Sequence, residues 1–129
     1  MPELPEVETV NETLKRQILG KKIVSVEVRC DRIVRGLPVS EFSQKLIGHV
    51  IMDITRQGKY IFFHLDGLVM VVHLRMEGKF FLKTDTNPYD KHEHVIFIFS
   101  DRSTLRYHDV RKFGTMELMA PGSEHLAKG

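Results

Sequence analysis

Apolar residues near the start of the chain recur at steps of three and four. Leu4, Val7, Val10, Leu14 and Ile18 thereby share one face of a predicted helix. Pro5 suits its first turn, where a missing N–H costs nothing. The early glutamates and the later Lys15 and Arg16 complement the helix dipole, and Gly20 supplies a stop. After Gly20 the period changes to two. Val24, Val26 and Val28 alternate with Ser25, Glu27 and Arg29, the pattern of a half-buried strand. A second, short helix is predicted over 39–47, with Phe42 and Leu46 one turn apart and Gly48 ending it.

From there the pattern is strand after strand, predicted at 50–56, 60–65, 68–74, 79–82, 95–100, 104–108 and 115–119. Asp66-Gly67 is a strong two-residue hairpin signal and 101–103 a looser turn. The segment 84–90 contains Asn87-Pro88 and is expected to be an exposed loop. Ile61-Phe62-Phe63 and Val95-Ile96-Phe97-Ile98-Phe99 are apolar on both faces, as in strands inside a sandwich. The expected fold is mainly β with two helices, a β-sandwich. No repeat, low-complexity tract or linker interrupts it, and the polar tail at 120–129 reads as a chain that stops rather than a domain that ends.

Composition adds bounds. With 129 residues, the chain is long enough for one domain with a real core and too short for two. No apolar run approaches the roughly 20 residues of a membrane span. An acidic N-terminus is the reverse of a signal or transit peptide. The single cysteine, Cys30, forms neither an internal disulfide nor a cysteine-based zinc site, and is expected to be a buried small residue at a reducing, cytoplasmic address. The net charge of +2 divides unevenly. Residues 1–12 carry four glutamates and no Lys or Arg, so the remaining 117 residues carry a net +6. A basic body of this kind permits a polyanionic partner, although lysines scattered for solubility satisfy the same arithmetic.

Candidate chemistry begins at Pro2. Removal of the initiator methionine would leave its nitrogen as a free secondary amine, partly unprotonated near neutral pH. Such an amine can attack an electrophilic carbon and hold it as an iminium. Glu3 is adjacent and suited to relaying protons. A chain that merely begins Met-Pro-Glu satisfies the same three letters.

Longer strings carry more. Met1-Pro2-Glu3-Leu4-Pro5-Glu6-Val7-Glu8-Thr9-Val10 closely resembles the start of formamidopyrimidine-DNA glycosylases, bacterial enzymes that excise oxidised purines. The sister endonuclease VIII type usually has Gly where this chain has Leu4. Four further blocks follow in family order: Gln57-Gly58-Lys59-Tyr60, His73-Leu74-Arg75-Met76-Glu77-Gly78, Lys91-His92-Glu93-His94-Val95 and Asp109-Val110-Arg111-Lys112-Phe113-Gly114. Together they span nearly the whole chain.

The resemblance implies a partner, a site and a reaction. The partner is double-stranded DNA holding oxidised bases or abasic sites. An enzyme working on one base must rotate it out of the stack and fill the gap. Met76 and Phe113 are the implied wedges and Arg111 the group that hydrogen-bonds the orphaned partner base. The polar, turn-like setting of Met76 favours exposure over a core role, whereas Phe113 without the resemblance reads as core. Lys59 is the implied phosphate contact and proton-transfer group, with a solvated turn lysine as the alternative. His92 is the implied phosphate contact; the His92-x-His94 spacing also invites a metal, but no further ligands stand nearby in sequence, and His94 reads as packed. Glu77 is a candidate for the lesion pocket. The implied reaction is attack of the Pro2 nitrogen on C1′, loss of the base, and β- then δ-elimination, with Glu3 and Lys59 moving protons.

Family members are roughly twice this length, and their second half carries a helix–two-turn–helix element and a zinc finger. Residues 1–129 are therefore expected to be the N-terminal catalytic domain alone, monomeric, with no cofactor in this chain and zinc in the part not present. With half the DNA grip gone, weak binding and little turnover are expected. Two other classes stand beside this reading: a catalytically silent DNA-binding domain, and a tautomerase-like enzyme using an N-terminal proline as base. The latter has no use for the blocks at 73–78 and 109–114.

Overall fold

The computed structural model describes residues 6–123, with side-chain surroundings described from residue 12. Pro2, Glu3, Leu4 and Pro5 lie outside the described residues, as do the side chains of Val7 and Val10. Helix α1 (Glu6–Ile18) buries Leu14 and Ile18, the two members of the expected apolar face that are described. It leads into β1 (Ile23–Val28), a 3₁₀ turn (Asp31–Ile33), β2 (Val34–Arg35) and α2 (Val39–Leu46), which buries Phe42 and Leu46 as its spacing requires. Seven strands follow: β3 (Asp53–Gln57), β4 (Tyr60–Leu65), β5 (Leu68–His73), β6 (Lys79–Thr84), β7 (Glu93–Phe99), β8 (Ser103–His108) and β9 (Thr115–Met119).

These strands make two sheets, ordered β1-β7-β8-β6 and β2-β9-β5-β4-β3. Side chains alternate across each strand. Ile61, Phe63, Met70 and Val72 of one sheet thus meet Val95, Phe97, Phe99, Leu105 and Tyr107 of the other in a single core, closed by the buried residues of both helices. The β-sandwich with two helices is the expected architecture.

Several expectations shift. Asp66-Gly67 forms the β4–β5 turn, with Leu65 opposite Leu68 and Gly67 at φ 73°. Val24 departs from its predicted face: a register break between Ile23 and Ser25 leaves it 43% exposed, because a bulge inserts one unpaired residue. The strand predicted at 50–56 begins only at Asp53. Residues before it pair instead with the chain around β1: the Ile51 N–H donates to the Lys21 carbonyl at 3.0 Å, and the Ile23 N–H to the His49 carbonyl at 2.9 Å. The two-residue β2, parallel to β9, carries no periodic signal and was not expected. Phe62 does not join the interior. With Val69 and Val71 it forms a second apolar cluster on the other face of its sheet, against Tyr60 and Met119. Cys30 is half-buried rather than buried, packed against the core edge.

Strands β7 and β8 carry most of the buried polar groups among the described residues. Arg106 is fully buried and ion-paired to the fully buried Glu93, Nη1 to Oε1 at 2.9 Å. Its other N–H groups donate to Thr104 Oγ1 and to the carbonyls of Thr84, Asn87 and Pro88 at 2.9–3.1 Å. The 84–90 loop is exposed as expected, yet its backbone is fastened from beneath by one guanidinium, and Tyr89 stacks on Arg106 at 5.0 Å.

This pair predicts an acid sensitivity. Burial would raise the Glu93 carboxyl, but hydrogen bonds from Lys83, the Asp90 N–H and Arg106 outweigh it and hold the group below its ordinary 4.5. Its stabilisation is complete above pH 4.5 and lost as pH falls through the lowered folded value. Glu93→Gln is expected to flatten the acid limb of a urea-denaturation series. Glu93→Ala, which leaves Arg106 charged and without its acidic partner, is expected to cost about 3–5 kcal/mol at neutral pH.

Candidate nucleic-acid interface

Lys59 follows Gly58 in the tight turn between β3 and β4, with Gly58 at φ 62°. A two-residue turn of this kind needs a left-handed residue, and glycine adopts it without strain. The Lys59 carbonyl accepts the Leu74 N–H at 2.9 Å, which ties this turn to the segment leaving β5. That segment, 74–78, is itself a turn closed by the Gly78 N–H on the Leu74 carbonyl at 3.1 Å. Arg75 within it sits at φ 57°, a left-handed conformation uncommon outside glycine. The next side chain, Met76, is 70% exposed.

The loop 109–114 is built on one carboxylate. Asp109 is fully buried. Its Oδ1 accepts the N–H groups of Arg111 and Lys112 at 3.2 and 3.1 Å. Its Oδ2 accepts the Gly114 N–H at 2.9 Å and the Tyr107 hydroxyl at 2.8 Å. Lys112 sits at φ 61°, and the following Phe113 is 51% exposed. The aromatic-core reading of Phe113 is therefore corrected: a left-handed residue just before it sits in a loop that leaves the ring in solvent.

Lys59, Met76 and Phe113, taken from three separate sequence blocks, line one open hollow of about 550 Å³ together with His73 and Arg75. His73 stacks on Tyr60 at 4.1 Å with the rings 17° apart. Burial first, then the charges of Arg75 and Lys59, push the His73 imidazole below its ordinary 6.5, so it is neutral at pH 7. The hollow thus combines two fixed cations, a titratable ring and two exposed apolar side chains. This set suits an anionic ligand with flat apolar parts.

A second hollow of about 370 Å³ adjoins it through Met76 and is also lined by Glu77, Lys79, His108 and Val110. Arg111 lies at this side, its Nε 3.2 Å from Glu77 Oε2 in a partly exposed pair. His92 is further along, its ring edge-on to His108 at 5.6 Å and its carbonyl accepting the Asp109 N–H at 3.0 Å. The five described site residues therefore fall in two groups, Lys59, Met76 and Phe113 around one hollow, Arg111 and His92 beside the next. His94 is packed, as expected. Its Nε2 lies 2.8 Å from the Asp109 carbonyl, and burial above all lowers its pKa. That nitrogen is engaged, and among the described residues no three His, Cys, Asp or Glu side chains come together as a metal set.

Sequence reasoning passed over His73, Arg75, Tyr107 and Asp109. His73 was findable: counting back from the Asp66-Gly67 turn places Tyr60 opposite His73, beside Lys59. Asp109 opens its block in the manner of an Asp that caps a turn through its side chain. No local signal marks Tyr107, which alternation alone places in the core.

Residues 1–116 match the model of the formamidopyrimidine-DNA glycosylase N-terminal domain. A formamidopyrimidine-DNA glycosylase from Bacillus licheniformis is 56% identical over 125 residues, 96% of this chain and 46% of that protein. The structure of Lactococcus lactis Fpg bound to DNA containing an abasic site superposes with a TM-score of 0.90 at 41% identity, over 98% of this chain and 47% of that one. The Lactococcus lactis protein bound to Fapy-dG-containing DNA matches equally well, with a TM-score of 0.90. The chain spans about half the length of these relatives.

Gly114 tests the loop's packing. A Cβ there would lie 1.7 Å from the Tyr107 hydroxyl and 2.9 Å from the His73 carbonyl. Gly114→Ala is expected to lower unfolding free energy by about 1–3 kcal/mol. Adding Tyr107→Phe, which deletes the atom being struck, should restore part of that loss in the same denaturation assay.

Proposed function

Because this chain belongs to the formamidopyrimidine-DNA glycosylase family, we propose that it is the catalytic half of a base-excision enzyme acting on double-stranded DNA that carries oxidised purines or abasic sites. The observation that carries this reading is the convergence of Lys59, Met76 and Phe113 on one hollow. A phosphate contact and two apolar wedges are what a protein needs to hold a strand while a base leaves the stack.

In this reading the Pro2 nitrogen attacks C1′ of the damaged nucleotide, and the C1′–base bond breaks with its electrons leaving on the base. The sugar ring opens as C1′ becomes an iminium on the Pro2 nitrogen. Loss of a C2′ proton with the 3′ phosphate, then of a C4′ proton with the 5′ phosphate, cuts the strand on both sides, and water hydrolyses the remaining iminium to free the Pro2 amine. Glu3 and Lys59 are the groups that carry protons. Arg111 faces the partner base and His92 a phosphate. The electropositive remainder of the chain, net +6, complements the DNA backbone. Cys30 is the sole cysteine, and among the described residues no three His, Cys, Asp or Glu side chains stand together as a metal set, so in this reading zinc belongs to the part of a family member that this chain does not match. A cytoplasmic monomer accords with this role, and no described helix is long and apolar enough to cross a membrane. Tested by themselves, residues 1–129 are expected to bind duplex weakly, with strong salt dependence, and to turn over slowly.

Borohydride trapping on abasic duplex at low salt tests the reading, with the N-terminal residue established by mass. A covalent adduct that disappears when Met1 is retained is the expected result. Binding without an adduct would leave a silent DNA-binding domain, and no binding would overturn the reading. Lys59→Ala is expected to reduce the slope of log affinity against log salt by about one.

His73 adds a pH dependence. A phosphate in the hollow favours the charged imidazole that burial, Arg75 and Lys59 disfavour in the free protein. Binding then takes up a proton, so duplex affinity is expected to rise as pH falls from 8 towards 6, and His73→Ala should reduce that rise.

A further inference from the structure

The two loops that present Met76 and Phe113 are built alike and meet at one atom. In each, a left-handed non-glycine residue, Arg75 at φ 57° or Lys112 at φ 61°, directly precedes the exposed apolar side chain. In each, a glycine closes the block over the same hydroxyl: a Cβ on Gly78 would lie 2.4 Å from the Tyr107 oxygen, and one on Gly114 1.7 Å. That hydroxyl is not free to shift. Tyr107 is fully buried in the core on β8, and its O–H donates to Asp109 Oδ2 at 2.8 Å. The same carboxylate fixes the Arg111, Lys112 and Gly114 amides. Neither Tyr107 nor Asp109 lines the hollow.

We propose that Tyr107 and Asp109 are positioning residues that hold the 74–78 turn and the 109–114 loop at a set separation, so that Met76 and Phe113 enter damaged DNA as one unit. This rests on the DNA-binding reading above. Strand pairing joins the two loops at their ends, His73 opposite Thr115 and Lys79 opposite His108, and the Arg111–Glu77 pair joins them at the surface; the Tyr107–Asp109 hydrogen bond joins them from within the core. Left-handed backbone at Arg75 and Lys112 is conformationally costly and persists where surrounding structure over-determines it. The carboxylate supplies that determination directly for Lys112, and the glycine contacts pass it through the Tyr107 ring to the turn bearing Arg75. Wedge geometry is thereby a property of the core, and phosphate contact is a property of separate surface cations. The two can be lost independently.

The test uses the 129-residue chain with Tyr107→Phe, Asp109→Asn, Met76→Ala and the Tyr107→Phe/Met76→Ala double variant, each checked for fold by thermal melting. Affinities are measured for an undamaged duplex and for the same duplex with one abasic site. Phosphate contacts act on both duplexes, whereas wedges act only where a base is missing. Tyr107→Phe is expected to keep undamaged-duplex affinity and its salt slope within about twofold. Its abasic-to-undamaged affinity ratio should fall about tenfold, as in Met76→Ala. The double variant should lose no more than either single one, since coupled residues are non-additive. Asp109→Asn should follow Tyr107→Phe. A wild-type ratio retained in Tyr107→Phe, losses that add in the double variant, or equal weakening on both duplexes would each overturn the proposal while leaving the DNA reading intact. If the wild-type chain binds both duplexes equally, the proposal falls alone; if it binds neither, the DNA reading falls with it. Tyr107→Phe keeps its ring in the core, so the outcome does not hinge on Asp109→Asn folding.

Discussion

The buried carboxylate of Asp109 is the constraint around which one end of this molecule is arranged. A carboxylate withdrawn from water must fill its acceptor sites with donors or be prohibitively costly. Here the donors are three amides of the loop that follows it and one hydroxyl from the strand before it. Its own backbone is used as well, the N–H on the His92 carbonyl and the carbonyl on His94. The ends of β7 and β8 and the 109–114 loop are consequently one hydrogen-bonded unit. Charge-assisted bonds of this type hold direction as well as distance. They allow a loop with little apolar anchoring of its own to offer an exposed phenylalanine in a defined place.

Strand β8 serves two faces at once. Tyr107 points into the sandwich and underlies the functional loops, while Arg106 points out and gathers the carbonyls of the 84–90 loop. The alternation that lets neighbouring residues do such different work is elementary strand geometry. Both are fully buried, and their polar groups bond to backbone carbonyls, the Thr104 hydroxyl or one acidic partner each. The surface of the site is simple by comparison. Its cations stand on turns, and its apolar groups stand on turns, so the precision lies underneath.

Much of this was legible along the chain. Leu14 and Ile18 at helical spacing, Phe42 and Leu46 one turn apart, and Asp66-Gly67 between apolar runs each report a local preference that the fold does not override. Where expectation failed, a non-local partner was responsible. Val24 lost its face to a bulge against β7, and residues 49–51 paired with the chain around β1 rather than extending β3. Phe62 went to the reverse side of its sheet, where Val69, Val71 and Met119 arrive from two other strands. Strand β2 exists only because β9 lies beside it.

The site divides along the same line. Residue type and order by themselves determined which blocks carry chemistry: a lysine after a turn glycine, a methionine in a polar turn, an arginine and phenylalanine behind an aspartate. They also determined the family to which those blocks point, since side-chain chemistry and motif order are properties of the chain alone. That Lys59, Met76 and Phe113 face one hollow, that Phe113 stands in solvent rather than in the core, and that Tyr107 lies beneath both wedge loops were decided only in three dimensions. These are distances between residues up to fifty-odd positions apart. Only sheet pairing, the packing of two sheets and the satisfaction of a buried charge bring such residues together.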